Sequence, residues 1–279
     1  MMQHDIRIAA VVCRCPVGQV DRNLDRTRYW ATLAREQGAA LVCFPEMNLT
    51  GYSNREDICD HAISAAGPEI KSMRELARDL QVTLLVGFAE AAVSGEFYAA
   101  HMVITPQGRT GIYRKLHLAP PETDCFQAGD RLLIFEQADF RFGLQLCYDA
   151  HFPELSTAMA QAGADALFIP HASPRGTAAE KHQSWMRHLP ARAYDNSVFV
   201  VACNQTGDNE NGLFFPGNAL ALSPAGKIRD TLLTDESGLL ITDLSVSQLH
   251  HTRGHRMRYF FPNRRPECYQ IPVHVETLY

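Results

Sequence analysis

The chain predicts an α/β protein in which β-sheets are sandwiched between helical layers. Three observations predict it. Strand-like and helix-like segments alternate through much of the 279 residues. Several strands are short continuous apolar runs, the kind covered on both faces. No Gly/Ser or Pro stretch longer than a turn divides the chain, so one domain over 1–279 is expected.

In order, IRIAAVVC (6–13) reads as a strand. The segment 21–38 then reads as a helix, with Asp21 as its cap, Gly38 as its stop, and Leu24, Thr27, Ala31 and Ala34 at helical spacing. ALVCF (40–44) is a buried strand. The helix at 67–80 starts near Pro68 and carries Ile70, Met73, Ala77 and Leu80 on one stripe. Sheet patterning follows: TLLVGFAE (83–90), EFYAAHMVIT (96–105), a PQGR turn and TGIYRKLHL (110–118). A hairpin over 132–147 ends at Cys147, a helix covers 153–164, and DALFIP (165–170) is another buried strand. A helical segment at 177–196 is interrupted at Pro190. The strand 197–207, a hairpin at 215–228 and the strand GLLITDL (238–244) follow it.

Composition narrows the function. With 46% hydrophobic residues the chain can bury a large core. A net charge of -5 offers no reason to expect nucleic acid or an anionic membrane as partner. The basic run at 255–265 is short and reads as a solvated face. No apolar stretch approaches the roughly 18 residues of a membrane span, no signal-peptide pattern opens the chain, and a cytoplasmic protein is expected. The eight cysteines therefore read as free thiols. Cys13 and Cys15 lack the spacing of a zinc site, His250, His251 and His255 lack a ligand set, and no metal or other cofactor is expected.

Three reactive residues share a placement. Glu46 follows the strand ALVCF, Lys115 lies in IYRKLHL, and Cys147 ends FGLQLC. The carboxyl ends of strands are where open α/β sheets bind ligands. The turn after Cys147 leads into a helix, which lowers a thiol pKa and points backbone N–H groups at whatever the sulfur attacks. Alternation puts Tyr113, Lys115 and His117 on one face, and an inward ammonium needs a carboxylate: Glu122 or Glu46. Glu46 sits among Phe44, Pro45, Met47 and Leu49, surroundings that raise a carboxyl pKa toward that of a general base. A Cys147–His171 dyad of protease type has no local signature to support it.

FPEMNLTGY, YRKLHL and LCYDAHFPE together resemble the three signature segments of the nitrilase superfamily, the carbon–nitrogen hydrolases, in order and spacing. The resemblance extends through the opening strand and helix with Asn23, the segments 163–170, 189–207 and 215–226, and RRPECY (264–269). It implies an α-β-β-α sandwich that pairs into an αββα–αββα dimer or a higher homo-oligomer, with no cofactor. It makes Glu46 the general base, Lys115 the oxyanion-stabilising lysine and Cys147 the nucleophile. Glu122 would position the lysine, and the Tyr148 N–H would be the second oxyanion donor. Nitrile-hydrolysing members typically carry Trp-Glu after the cysteine. Tyr148-Asp149 stands here, which favours a small amide or N-carbamoyl substrate over a nitrile. Asp195 also replaces the usual Glu before Asn196, keeping the charge. A non-catalytic binding or scaffold member has no chemical reason to keep all four reactive residues.

The substrate pocket is expected from four loops: 52–57, 117–125, 171–185 and 204–215. They offer Tyr52, His171, Trp185 and Asn204 as substrate contacts, Ser173 as a further polar group, and Arg175 as an anchor for a substrate carboxylate.

Overall fold

Two mixed sheets lie face to face, each backed by helices. The computed structural model describes residues 2–269 and 275–278. The first half runs β1 (Ile6–Val12), α1 (Val20–Glu36), β2 (Leu41–Cys43), α2 (Pro68–Leu80), β3 (Thr83–Ala91), β4 (Phe97–Ile104) and β5 (Thr110–Arg114). The second half continues β6 (Leu132–Gln137), β7 (Phe140–Leu144), α3 (Pro153–Gln161), β8 (Ala166–His171), α4 (Ala178–Trp185), α5 (Leu189–Asn196) and β9 (Phe199–Asn204). It closes with β10 (Gly207–Asp208), β11 (Phe214–Phe215), β12 (Gly217–Leu222), β13 (Ile228–Thr234), β14 (Gly238–Leu244), α6 (Val246–Gly254), α7 (Pro266–Tyr269) and β15 (Val275–Leu278).

One sheet has the order β14-β1-β2-β3-β4-β5, the other β13-β12-β9-β8-β7-β6-β15. Each is parallel at its centre: β1 with β2 and β2 with β3, and β7 with β8 and β8 with β9. That arrangement sends the exits of β2, β7 and β8 to the ends of the sheets where parallel strands leave their turns. It explains why β2 and β8 up to Pro170 are unbroken apolar runs.

Alternation along β1 separates the layers. Ile8, Ala10 and Val12 join the core that includes Leu220 and Phe168 of the second sheet. Ala9 and Val11 face Ala31 and Ala34 of α1 and Met73 and Ala77 of α2. Burial of a side chain such as Met73 contributes about 1.5–3 kcal/mol, which is why α2 needs only one apolar stripe to dock. Cys43 and Cys203, 4.0 Å apart at sulfur, touch across the two sheets. The α-β-β-α layering read from the sequence is the observed one.

Some local expectations change. Asp21 lies in the first turn of α1 but does not cap it: Gln19 is the N-cap residue, without a side-chain bond. Asn23 takes the buried place expected for Leu24, because its amide donates to the carbonyls of Pro16 and Leu49. The segment 177–196 is two helices. The break falls at 186–188, and Pro190 sits in the first turn of α5, where its missing N–H costs nothing. The helix α6 was not foreseen. No helix among the described residues is long and apolar enough to cross a membrane.

Candidate active site

The loop after β2 carries Glu46 and is tied down along its length. Asn48 Oδ1 accepts from the Gly87 N–H at 2.8 Å, and Thr50 Oγ1 accepts from the Ala89 N–H at 3.0 Å. Glycine at 87 permits this approach, since a Cβ there would lie 2.4 Å from the Met47 nitrogen. Gln205 Nε2 donates to the Glu46 carbonyl at 2.8 Å. Glu46 is thereby held fully buried at the strand exit.

Lys115 follows β5 and keeps the ladder going, its N–H donating to the Ala99 carbonyl. Its side chain is fully buried, and Nζ donates to Glu46 Oε1 and to Glu122 Oε1, each at 2.8 Å. Glu122 is held in turn by the Tyr52 hydroxyl at 2.9 Å on Oε1 and the Ala119 N–H at 2.8 Å on Oε2. Glu46 Oε2 accepts from the Ala172 N–H at 3.0 Å, across 126 residues of chain.

Cys147 begins a short 3₁₀ turn, Cys147–His151, and adopts a left-handed backbone with φ 43°. That conformation is costly for a residue with a Cβ and persists only where its surroundings impose it. Asp149 imposes it here. Its Oδ2 accepts from the Tyr113 hydroxyl at 2.8 Å and the Leu146 N–H at 3.0 Å. Its Oδ1 accepts from the His117 N–H and meets His117 Nδ1, both at 2.8 Å. The sharp turn is therefore bound to the segment that carries Lys115. The His117 ring stacks on Phe152 at 3.8 Å and closes one side.

The charges explain one another. Burial first, and the neighbouring Glu122 as well, push the Glu46 carboxyl up to about 7 against the opposing pull of Lys115. Burial works against the Lys115 ammonium, but Glu46 and Glu122 outweigh it and hold its pKa above the usual value. Burial and then Glu46 push the Cys147 thiol up to about 12, while Lys115 and the Ala172 N–H pull the other way. The resting site thus holds a neutral thiol, a permanent ammonium and a carboxyl poised near neutrality.

The expected substrate contacts fare differently. Tyr52 is spent on Glu122. The rings of His171 and Trp185 meet at 4.4 Å, tilted by 36°, and are almost wholly buried, and His171 Nδ1 sits 2.7 Å from the Ile169 carbonyl, so the pair packs the end of α4 against β8. Asn204 is corrected outright. Its Oδ1 accepts from the Ser173 N–H at 2.8 Å, and its Nδ2 donates to the carbonyls of Ser173 at 3.0 Å and Pro216 at 2.9 Å. An amide so committed clamps two loops and has no N–H left for a ligand. Arg175 is exposed, whereas the half-buried cation of that loop is Lys181, which sequence reasoning passed over. Nothing in the local pattern HASPRGTAAEKHQSW separates Lys181 from an ordinary helix lysine.

A sandwich of this kind, with a thiol, a carboxyl and an ammonium at its strand exits, has the architecture of a hydrolase of mixed α/β fold. The profile described as carbon-nitrogen hydrolase matches residues 7–253, and the chain belongs to that family of hydrolases acting on carbon–nitrogen bonds other than peptide bonds. It is 32% identical to an (R)-stereoselective amidase of a Pseudomonas species over 85% of this chain and 84% of the relative. It is 29% identical to a protein named nitrilase from Pyrococcus abyssi, over 95% of this chain and 99% of that one. Among solved structures it is similar to a variant of the amidase from Nesterenkonia sp. AN1, with a TM-score of 0.81, 26% identity and coverage of 95% of both chains. That structure shows covalent addition of the acetamide moiety of fluoroacetamide at the active site cysteine.

Proposed function

We propose that this protein is a thiol amidohydrolase that cleaves a small linear amide or N-carbamoyl amine through a thioester on Cys147. The observation that carries the reading is the buried Glu46–Lys115–Glu122 cluster beside a cysteine held at φ 43°.

Each group supplies one part of the chemistry. Glu46 takes the Sγ proton as the sulfur attacks the carbonyl carbon. Lys115 has three N–H donors and gives two to carboxylates, leaving one for the developing oxyanion. The Tyr148 N–H, in the first turn after Cys147, is the second oxyanion donor. Glu46 then protonates the nitrogen as the C–N bond breaks, and ammonia or an amine leaves a thioester. Glu46 next takes a proton from water, whose oxygen attacks the thioester carbon. The acid departs and the thiol is restored. Glu122, fixed by Tyr52 and Ala119, keeps Lys115 in place through the cycle. A homodimer or higher homo-oligomer accompanies this reading. The exposed edge-to-face pair Tyr194 and Phe260 is an apolar surface that supports it, and gel filtration at micromolar concentration checks it.

The test is ammonia release from a panel of small amides, N-carbamoyl amines and nitriles, with Cys147→Ala beside the wild type. Release from amides or N-carbamoyl amines that vanishes in the variant is the expected result. Release confined to nitriles would favour a nitrilase, and release that survives Cys147→Ala would remove the cysteine from the mechanism.

A further inference from the structure

Lys181 is a cation without a counter-ion at the edge of the site. It is half-buried in the first turn of α4, and Nζ donates to Ser173 Oγ at 2.7 Å and to the Pro174 carbonyl at 3.1 Å. Among the described residues no carboxylate forms an ion pair with it. Glu180, its neighbour, is turned back onto the N–H and hydroxyl of Thr177 as the reciprocal cap of the same helix.

Neither the helix nor the fold has a local use for this charge. The first turn of a helix favours anions and disfavours cations. A partly buried ammonium costs free energy unless an anion meets it, and neutral acceptors compensate only in part. Burial accordingly pushes the Lys181 pKa down, with Cys147 the group that opposes it. The segment that Lys181 grips starts one residue after Ala172, whose N–H donates to Glu46. Among the described residues two of its three N–H donors are used.

We infer that Lys181 is a specificity-determining residue that receives an anionic group, most simply a carboxylate, at the end of the substrate away from the scissile C–N bond. The inference rests on the amidohydrolase reading and deepens it. The preferred substrates are monoamides of dicarboxylic acids or N-carbamoyl amino acids, and simple neutral amides are poorer. Arg175, expected from the sequence to play this part, is exposed, and its N–H donates to the Phe214 carbonyl in the short β10–β11 corner.

The experiment compares kcat/KM for ω-amides of three to six carbons ending in a carboxylate with their neutral isosteres, in wild type and in Lys181→Met, Lys181→Arg and Lys181→Glu. The wild type is expected to favour at least one anionic member tenfold or more, chiefly through KM. Lys181→Met should lower that ratio at least tenfold, Lys181→Arg should restore most of it, and Lys181→Glu should reverse it toward amine-terminated amides. A residue that merely pins the Ser173 loop would change anionic and neutral substrates together. A wild-type ratio near one, or a ratio unchanged in Lys181→Met, overturns the inference. A second measurement does not depend on turnover: protection of Cys147 from iodoacetamide by the dicarboxylate glutarate. Protection that is lost in Lys181→Met upholds the anion site even if no amide is hydrolysed and the amidohydrolase reading fails. No protection in either protein, together with equal turnover of charged and neutral amides, refutes the site and leaves the amidohydrolase reading intact.

Discussion

Two buried carboxylates flank Cys147, and they are built in opposite ways. Asp149 is saturated, with the Tyr113 hydroxyl, the N–H groups of Leu146 and His117, and His117 Nδ1 around its two oxygens. Among the described residues the Glu46 carboxylate meets only the Ala172 N–H and one ammonium, which it shares with Glu122. A carboxylate whose lone pairs are filled by fixed donors is a piece of scaffold. One that competes with a second carboxylate for a single cation keeps a pKa that chemistry can use. The difference teaches how one strand-end region can be rigid and reactive at once. Asp149 sets the backbone of Cys147, and Glu46 and Lys115 stay available for proton and charge.

The comparison can be tested from its largest expected effect downward. Lys115→Ala should lower kcat/KM about a hundred- to a thousand-fold through the lost oxyanion donor, read from steady-state kinetics. The same variant leaves Glu46 and Glu122 without their cation. Wild-type turnover from it would end the assignment of Lys115.

Asp149→Ala should cost about 3–5 kcal/mol in denaturant unfolding, because it orphans the buried donors that surround it. Glu46→Gln should instead abolish turnover and leave the fold at least as stable near pH 8. A large stability loss in Glu46→Gln with none in Asp149→Ala would invert the comparison.

The pH dependence sharpens it. The Glu46 carboxyl is raised from 4.5 to about 7, so kcat/KM should rise with pH and inflect near 7 as the base form appears. For stability the sign is the reverse. The fold favours the protonated carboxyl, so that contribution is complete below pH 4.5 and is lost as pH rises through about 7. The thermal midpoint of the wild type should therefore fall more between pH 5 and pH 8 than that of Glu46→Gln. Parallel curves would place the titrating group elsewhere.

The smallest effect is expected of Tyr52→Phe. It removes one neutral donor from Glu122, costs about 1 kcal/mol, and should slow turnover severalfold at most. A loss as large as that of Lys115→Ala would mean that Tyr52 acts on substrate directly.

How much of this was legible follows from how local each signal is. Glu46, Lys115 and Cys147 each stand at a strand exit inside a motif of about ten residues, and periodicity alone put them at one end of the sheets. Glu122 was legible as one of two candidate partners for Lys115, and only the family resemblance gave it a positioning role, because a carboxylate after two prolines looks like any loop acid. The role of Asn204 was misread for the same reason. As a strand-end amide it resembles a ligand contact, and only the neighbouring loops show that both its N–H donors are taken by backbone. The split of 177–196 into α4 and α5 was half legible: Pro190 announced an interruption, but a proline in the first turn begins a helix as readily as it ends one.

By itself, then, the sequence determined the layers and the strand exits and nominated the reactive groups. Those depend on burial patterns with periods of 2 and 3.6 residues and on motifs short enough to survive without context. Only the tertiary structure decided that fixed donors fill Asp149, that burial raises the Glu46 carboxyl, that Asn204 ties two loops together and that no carboxylate among the described residues pairs with Lys181. Protonation and partnership are set by atoms within about 3 Å, and here those atoms come from chain segments as far apart as Glu46 and Ala172.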